Sequence, residues 1–227
     1  MIEFSVLVLA RNEAKNLALL LPEIHRIFKE NKLSYELLLI DGASIDDTSR
    51  VAASLGAITI SQVGVGYGAA FQQGLKAAKG QWIITLDADL SHPPAYLESL
   101  FIHKGEADLI IASRYIDGGK AHMESYRHIL SLILNTLYRL VLRLPIRDLT
   151  SGFRMYRSET LKAVCLEARD FDVLIEILIK LVKSAASVKE IPFHYEPRVF
   201  GTSNAKLFRF AISYVRTLIK MKRLCKG

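Results

Sequence analysis

Trp82-Ile-Ile-Thr-Leu-Asp87-Ala-Asp89-Leu-Ser91-His-Pro-Pro94 is a dry run that ends in two carboxylates. Trp82 to Leu86 is apolar and β-prone, with Gly80 before it, the pattern of a strand covered on both faces. Asp87 and Asp89 follow at its carboxyl end, and Pro93 and Pro94 suit the first turn of a helix. In an open α/β sheet that edge is where ligands bind. Two acids one residue apart direct their oxygens at a single hard cation, Mg²⁺ or Mn²⁺.

The same alternation extends upstream. Glu3 to Ala10 reads as a buried strand, followed by Arg11-Asn12-Glu13 and a helix from Lys15 to Asn31. Tyr35 to Ile40 is a second strand ending at Asp41-Gly42-Ala43-Ser44, and Asp46-Asp47-Thr48 cap a helix that runs to Leu55. Ile58 to Ser61 is a third strand. Gly64-Val-Gly66-Tyr-Gly68 turns into a helix from Ala69 to Ala78, whose N-terminal amides are expected to be open to a phosphate. With Leu109 to Ala112 as the fifth strand, the pattern predicts a mostly parallel, doubly wound sheet flanked by helices. Right-handed crossovers place Asn12, Glu13, Asp41, Ser44, Gly66, Asp87 and Asp89 on one edge.

Beyond Ser113-Arg114-Tyr115 the character changes. Tyr126 to Leu144 has helical period, with Ile129, Leu130, Ile133 and Leu137 on an apolar face and Arg127, Ser131, Asn135 and Arg139 on the other. Its interior arginines exclude a membrane span. The helix either packs on the core or lies at a bilayer surface. Asp148 to Arg157 reads as a polar and aromatic segment between ordered elements. Phe171 to Lys183 is an apolar helix whose single acid, Glu176, is expected to meet a cation or line the cleft. Ser187 to Tyr195 reads as a strand, with Pro192 favouring a sheet edge.

The 227 residues are 51% hydrophobic and 23% charged, enough for one well-buried domain and unlike a disordered chain. Two distant cysteines imply neither a disulfide framework nor a metal knuckle, and the N-terminus has no leader pattern, so a cytoplasmic chain is expected. The net charge of +7 is local: from Pro197 on there are eight cations and no acid, which leaves the first 196 residues near −1. Cations interleaved with Leu, Ile and Phe from Lys206 to Leu224 suit a helix on anionic lipid better than a nucleic-acid grip. The expected division is residues 1–204 as the catalytic domain and 205–227 as a basic amphipathic helix.

Taken together, Asp87-Ala-Asp89-Leu-Ser-His-Pro-Pro94, Ser113-Arg-Tyr115, Ser151-Gly-Phe-Arg-Met-Tyr-Arg157 and Glu190-Ile-Pro192 leading to Arg198-Val-Phe-Gly201-Thr-Ser203 resemble the family-2 glycosyltransferases of the glycosyltransferase-A fold, in particular the polyprenyl-phosphate type. The resemblance implies an inverting, metal-dependent enzyme that moves a hexose from a nucleotide diphosphate sugar, of GDP-mannose or UDP-glucose type, to a polyprenyl phosphate lipid. It places Asn12, Glu13, Asp41, Ser44 and Gly66 around the nucleotide. Asp87 and Asp89 fall on ribose and metal, with Ser91 as a weaker metal contact. Arg114, Arg127, Ser131 and Arg198 fall on the acceptor phosphate, and Asp89 with the three arginines makes the catalytic set. His92 and His122 read as loop residues. Arg11 stands where the family carries an aromatic, Asp41-Gly42 where it carries paired acids, and Asn204 where it carries a lysine, so base and sugar stay open. Peripheral attachment to the cytoplasmic face of a membrane is expected, with a possible anchoring partner subunit. Asp87-Ala-Asp89-Leu-Ser91 also fits an aspartyl-phosphate phosphatase, but that motif usually opens its domain, and here some 80 residues of α/β pattern precede it.

Overall fold

The computed structural model describes residues 1–201 together with Thr217 and Leu218. Seven strands form one sheet in the order β3-β2-β1-β4-β7-β5-β8. They are β1 (Phe4–Ala10), β2 (Tyr35–Asp41), β3 (Ile58–Ser61), β4 (Trp82–Asp87), β5 (Leu109–Ser113), β7 (Arg154–Arg157) and β8 (Val188–Pro192). A separate two-stranded parallel ribbon pairs β6 (Lys120–Ala121) with β9 (His194–Tyr195). The helices are α1 (Ala14–Glu30), α2 (Thr48–Ser54), α3 (Tyr67–Ala77), α4 (Tyr96–Ile102), α5 (Ser125–Leu142), α6 (Ser158–Lys162) and α7 (Val173–Lys183).

Side chains alternate across the pleat, so each strand feeds two cores. Phe4, Val6 and Val8 of β1, Ile84 and Leu86 of β4 and Ile110 of β5 pack with Leu17, Leu20, Leu21 and Ile24 of α1. Leu7, Ile83, Leu109 and Ile111 point the other way, onto Phe71 of α3 and Val173, Leu174 and Ile177 of α7. Strands dry on both faces explain the unbroken apolar runs in the sequence.

The segment 148–157 departs from expectation. Its second half is β7, a central strand that runs antiparallel between β4 and β5. The Arg154 side chain is fully buried. Its guanidinium donates to the carbonyls of Ser151, Leu174 and Leu149 at 2.7, 2.7 and 2.6 Å. A cation satisfied in this way is compatible with a sheet interior. The predicted last strand is two: β8 at the sheet edge, with Pro192 where a lost N–H is tolerated, and β9 in the ribbon.

The orientation of α5 also differs from a core-packed amphipathic helix. It turns Asn135, Tyr138 and Leu142 inward. Ile129, Ile133 and Leu140 are 57%, 59% and 66% exposed. Arg143, in the left-handed region at φ 53°, ends the helix after Leu142. Glu176 meets its predicted cation, Lys180, at 2.7 Å, and also accepts the amides of Glu167 and Ala168.

Candidate functional site

The carboxyl ends of β1, β2 and β4 deliver the first cluster. Asn12 adopts φ 58°, a left-handed conformation that asparagine tolerates. Its amide donates to Ser44 Oγ at 2.9 Å, and its Oδ1 accepts the Ile45 amide at 2.9 Å. Ser44 donates in turn to Asp41 Oδ1, through its hydroxyl at 2.5 Å and its amide at 2.9 Å. Asn12, Asp41 and Ser44 are therefore one network joining the first two loops, as topology predicted. Both Asp41 carboxylate oxygens accept hydroxyls of the segment after β2, Oδ1 from Ser44 and Oδ2 from Ser49, each at 2.5 Å.

Gly66 joins that edge through Gln62: its carbonyl accepts the Gln62 carboxamide at 2.8 Å, and the Gln62 amide donates to the Asp41 carbonyl at 2.8 Å. A Cβ at Gly66 would lie 2.2 Å from the Arg169 carbonyl oxygen. That oxygen accepts the Gly68 amide at 2.9 Å and the Ala69 amide at 3.4 Å. The start of α3 is thus closed by the 167–171 loop, which Glu176 holds from behind. Two of the amides expected to be open to a phosphate, those of Gly68 and Ala69, are engaged, and the helix begins two residues earlier than predicted.

Asp87 and Asp89 stand where the sequence placed them. Asp89 Oδ1 accepts the Ser91 amide at 3.0 Å and the Ser91 hydroxyl at 2.5 Å, while Oδ2 accepts Arg198 Nη2 at 2.7 Å. His92 Nε2 lies 3.7 Å from the Asp87 carboxylate, beyond hydrogen-bond reach. Burial pushes the Asp87 pKa up; His92 and the nearby arginines pull against it and Asp89 pushes with it. A carboxylate so poorly compensated suits a divalent cation. Among the described residues no three His, Cys, Asp or Glu side chains are grouped to hold a metal by themselves. The donor set therefore fits an ion such as Mg²⁺ that takes one or two carboxylates and completes its shell with phosphate oxygens and water.

A strap from His194 to Gly201 crosses this loop. Glu196 and Val199 donate their amides to the Ser91 and Asp89 carbonyls at 3.1 and 3.3 Å. Phe200 and the Asn16 carboxamide exchange two hydrogen bonds, at 3.2 and 3.3 Å. Arg198 lies on the strap, with Nη1 3.9 Å from Glu13 Oε1. Burial raises the Glu13 pKa, opposed by a hydrogen bond from Asn16.

The remaining predicted anion contacts are only partly gathered. Arg114 grips the fully buried Asp148 with two bonds, Nε to Oδ2 at 2.8 Å and Nη2 to Oδ1 at 2.7 Å, and reaches Thr150 Oγ1 at 2.8 Å. Burial disfavours the Arg114 charge, but Asp148 outweighs it and raises the pKa above its ordinary value. Ser131 accepts the Tyr115 hydroxyl at 2.8 Å and adjoins Asn135, which reaches Thr150 at 3.1 Å. Arg114 and Ser131 are thereby linked. Arg127 sits at the exposed start of α5, 3.0 Å from Glu124, and Arg198 belongs to the aspartate loop.

Several residues at the site were not foreseen: Asp148, Thr150, Asn135, Asn16, Tyr195 and His92. The Tyr195 ring lies 5.6 Å from the Arg114 guanidinium and 5.9 Å from His92, bridging the two halves of the cleft. Only His92 had a local signal, its place inside the aspartate motif. The predicted positions Ser203, Asn204 and Lys206, and the tail helix apart from Thr217 and Leu218, lie outside the described residues. The Thr217 hydroxyl donates to Asp172 at 2.7 Å. Thr217, within the span expected to form the basic amphipathic helix, thus contacts the residue before α7.

The profile described as "Glycosyl transferase family 2" matches residues 5–165. A dolichol-phosphate mannosyltransferase of Pyrococcus furiosus is 32% identical over 228 residues, which is 96% of this chain and 63% of that protein. The chain thus spans less than two thirds of that relative's length. A polyprenol monophosphomannose synthase of Mycolicibacterium smegmatis is 31% identical over 215 residues, 87% of this chain and 79% of that protein. A glucosyl-3-phosphoglycerate synthase of Mycobacterium tuberculosis, solved with Mn²⁺, UDP-glucose and phosphoglyceric acid, superposes with a TM-score of 0.76 at 19% identity, covering 97% of this chain and 79% of that one. At that identity the likeness shows the fold, which is the α/β architecture expected of the glycosyltransferase-A class.

Proposed function

The chain belongs to glycosyl transferase family 2, and on that premise we propose that it transfers a hexose, with inversion, from a nucleoside diphosphate sugar to a polyprenyl phosphate. The names of the two sequence relatives support a mannosyl donor, and the UDP-glucose of the structural neighbour keeps a UDP donor in play. The observation that carries the reading is the juxtaposition, across the Tyr195 ring, of the Asp87–Asp89 pair and the Arg114–Ser131 cluster.

Asn12, Asp41 and Ser44 shape the wall that receives the nucleotide. Asp87 and Asp89 would hold the Mg²⁺ or Mn²⁺, which supplies charge neutralisation at the departing diphosphate. An acceptor phosphate monoester has a second pKa of about 6, so it is already an anionic nucleophile near neutral pH. No side chain need remove a proton. Arg114, pinned by Asp148 and Thr150, presents its remaining donors from a fixed position, and Ser131 adds a hydroxyl beside it. Fixed guanidinium donors orient a phosphate for attack on the anomeric carbon opposite the leaving group. Arg198 joins them from the strap once it leaves Asp89.

The outward apolar face of α5, with Arg127 and Arg139 in the helix, Arg143 at its end and no acid from Ser125 to Arg147, supports a seat on the anionic cytoplasmic surface of a membrane. Among the described residues no helix is long and apolar enough to cross one. A thermal-shift panel of GDP-mannose, UDP-glucose and their nucleotides with Mn²⁺ tests the donor half. One donor should stabilise the protein only when Mn²⁺ is present, and Asp89→Asn should abolish that shift. Equal stabilisation of the variant would refute the assignment.

A further inference from the structure

Behind the two carboxylates lies a buried imidazole that the transfer scheme above does not use. His92 is 2% exposed. Its Nδ1 accepts the Asp87 backbone N–H at 3.0 Å. A ring nitrogen that accepts carries no proton, so the neutral ring must bear its hydrogen on Nε2. Nε2 faces Asp87 Oδ2 at 3.7 Å. That distance is too long for a hydrogen bond, so the N–H steers the carboxylate without fastening it. One ring therefore reads both ends of one residue, its amide and its acid.

The ring cannot swing away. It stacks on Phe153 at 5.3 Å and 17°, and the edges of Phe193 and Tyr195 close on it at 5.7 and 5.9 Å. Gly152 leaves the remaining space: a Cβ there would stand 3.5 Å from His92 Cε1 and 3.6 Å from Asp87 Oδ1. An aromatic box would accept a phenylalanine at less desolvation cost, so a polar ring in it calls for a polar role.

We propose that His92 is a positioning residue for the donor site, holding Asp87 in the orientation in which its carboxylate takes a divalent cation together with a nucleoside diphosphate. The proposal rests on the donor-site reading of the aspartate loop. Groups that orient a metal's ligands typically change metal affinity about tenfold to a hundredfold when removed. Mn²⁺ binding, titrated by electron paramagnetic resonance with GDP or UDP present, should therefore weaken about tenfold to a hundredfold in His92→Phe. His92→Asn keeps an acceptor near the Nδ1 position and should recover part of the loss. An His92→Phe affinity within about twofold of the wild type would overturn the proposal, since the range for such groups starts near tenfold.

Should His92→Phe fail to fold, ¹⁵N NMR of the wild-type protein gives an independent reading. The His92 signals should show a bare Nδ1 and a protonated Nε2, and should move when Mg²⁺ and the nucleotide are added together. A protonated Nδ1, or signals unmoved by that addition, would overturn it. A wild-type protein that binds neither Mn²⁺–GDP nor Mn²⁺–UDP would refute the donor-site reading and this proposal together. Wild-type binding with an unaltered variant refutes the role of His92 alone.

Discussion

Asp148→Asn leaves the Arg114 guanidinium buried without its counter-charge. In the native protein the Arg114 side chain is 9% exposed and that of Asp148 0%. Asp148 also accepts the amides of Arg114 and Ser151, each at 3.0 Å. Removing one partner of such a pair costs about 3–5 kcal/mol. Arg114 keeps the Thr150 hydroxyl and the faces of Tyr115 and Tyr195 at 5.0 and 5.6 Å, so the lower end, about 3 kcal/mol, is expected. For a chain of 227 residues each kcal/mol moves Tm by about 2–4 °C, which gives a drop of about 6–12 °C at pH 7. Burial works to raise the Asp148 pKa, but Arg114 outweighs it and holds the pKa below the ordinary value. A depressed carboxylate contributes its full stabilisation above the unfolded value, near 4, and loses it as pH falls through the folded value. The gap between wild-type and variant melting curves should therefore narrow from about pH 4 downward. Calorimetric melts from pH 7 to pH 3 read both effects. A Tm within about 2 °C of the wild type at pH 7, below the shift expected for 1 kcal/mol, or a gap that persists unchanged in acid, would refute the reasoning.

Gly68→Ala places a methyl 2.5 Å from the Ala168 carbonyl oxygen and 2.9 Å from Arg169 Cα, so it should destabilise by about 1–3 kcal/mol in urea titrations. Glu176→Ala strips the Glu167 and Ala168 amides of their acceptor and leaves Lys180 with the Cys165 carbonyl. The 167–171 loop should then exchange its amide hydrogens faster while those of β1 stay protected. Ile133→Asp combined with Leu137→Asp should abolish flotation with anionic liposomes and leave Tm within about 2 °C, because both side chains are exposed; continued flotation would contradict the α5 membrane seat.

The strands and their loops were legible because dry runs between polar turns encode a sheet covered on both faces. The Asn12–Asp41–Ser44 network followed from topology alone. The insertion of β7 was not legible, since Arg154-Met-Tyr-Arg157 carries a cation at each end, and only the three carbonyls around Arg154 make it a core strand. Helical period identified α5 but could not say which side faces the protein. Asn135 turned inward because Leu149 and Thr150 offer it hydrogen-bond partners. Gly66 looked like a phosphate loop, whereas its missing side chain makes room for the Arg169 backbone. His92 was within the decisive motif, yet its role depends on Phe153, Phe193 and Tyr195, which lie far away in sequence.

The central claim, hexose transfer to a lipid phosphate, is tested most directly by product. GDP-mannose and UDP-glucose, each labelled in the sugar, are incubated with the protein, Mn²⁺ and polyprenyl phosphate in anionic vesicles. The account predicts label in the lipid from one of the donors, as a glycosyl phosphate of inverted anomeric configuration, and none with Asp89→Asn. Unlabelled lipid from both donors, with a protein that binds Mn²⁺ and the nucleotide, would contradict it.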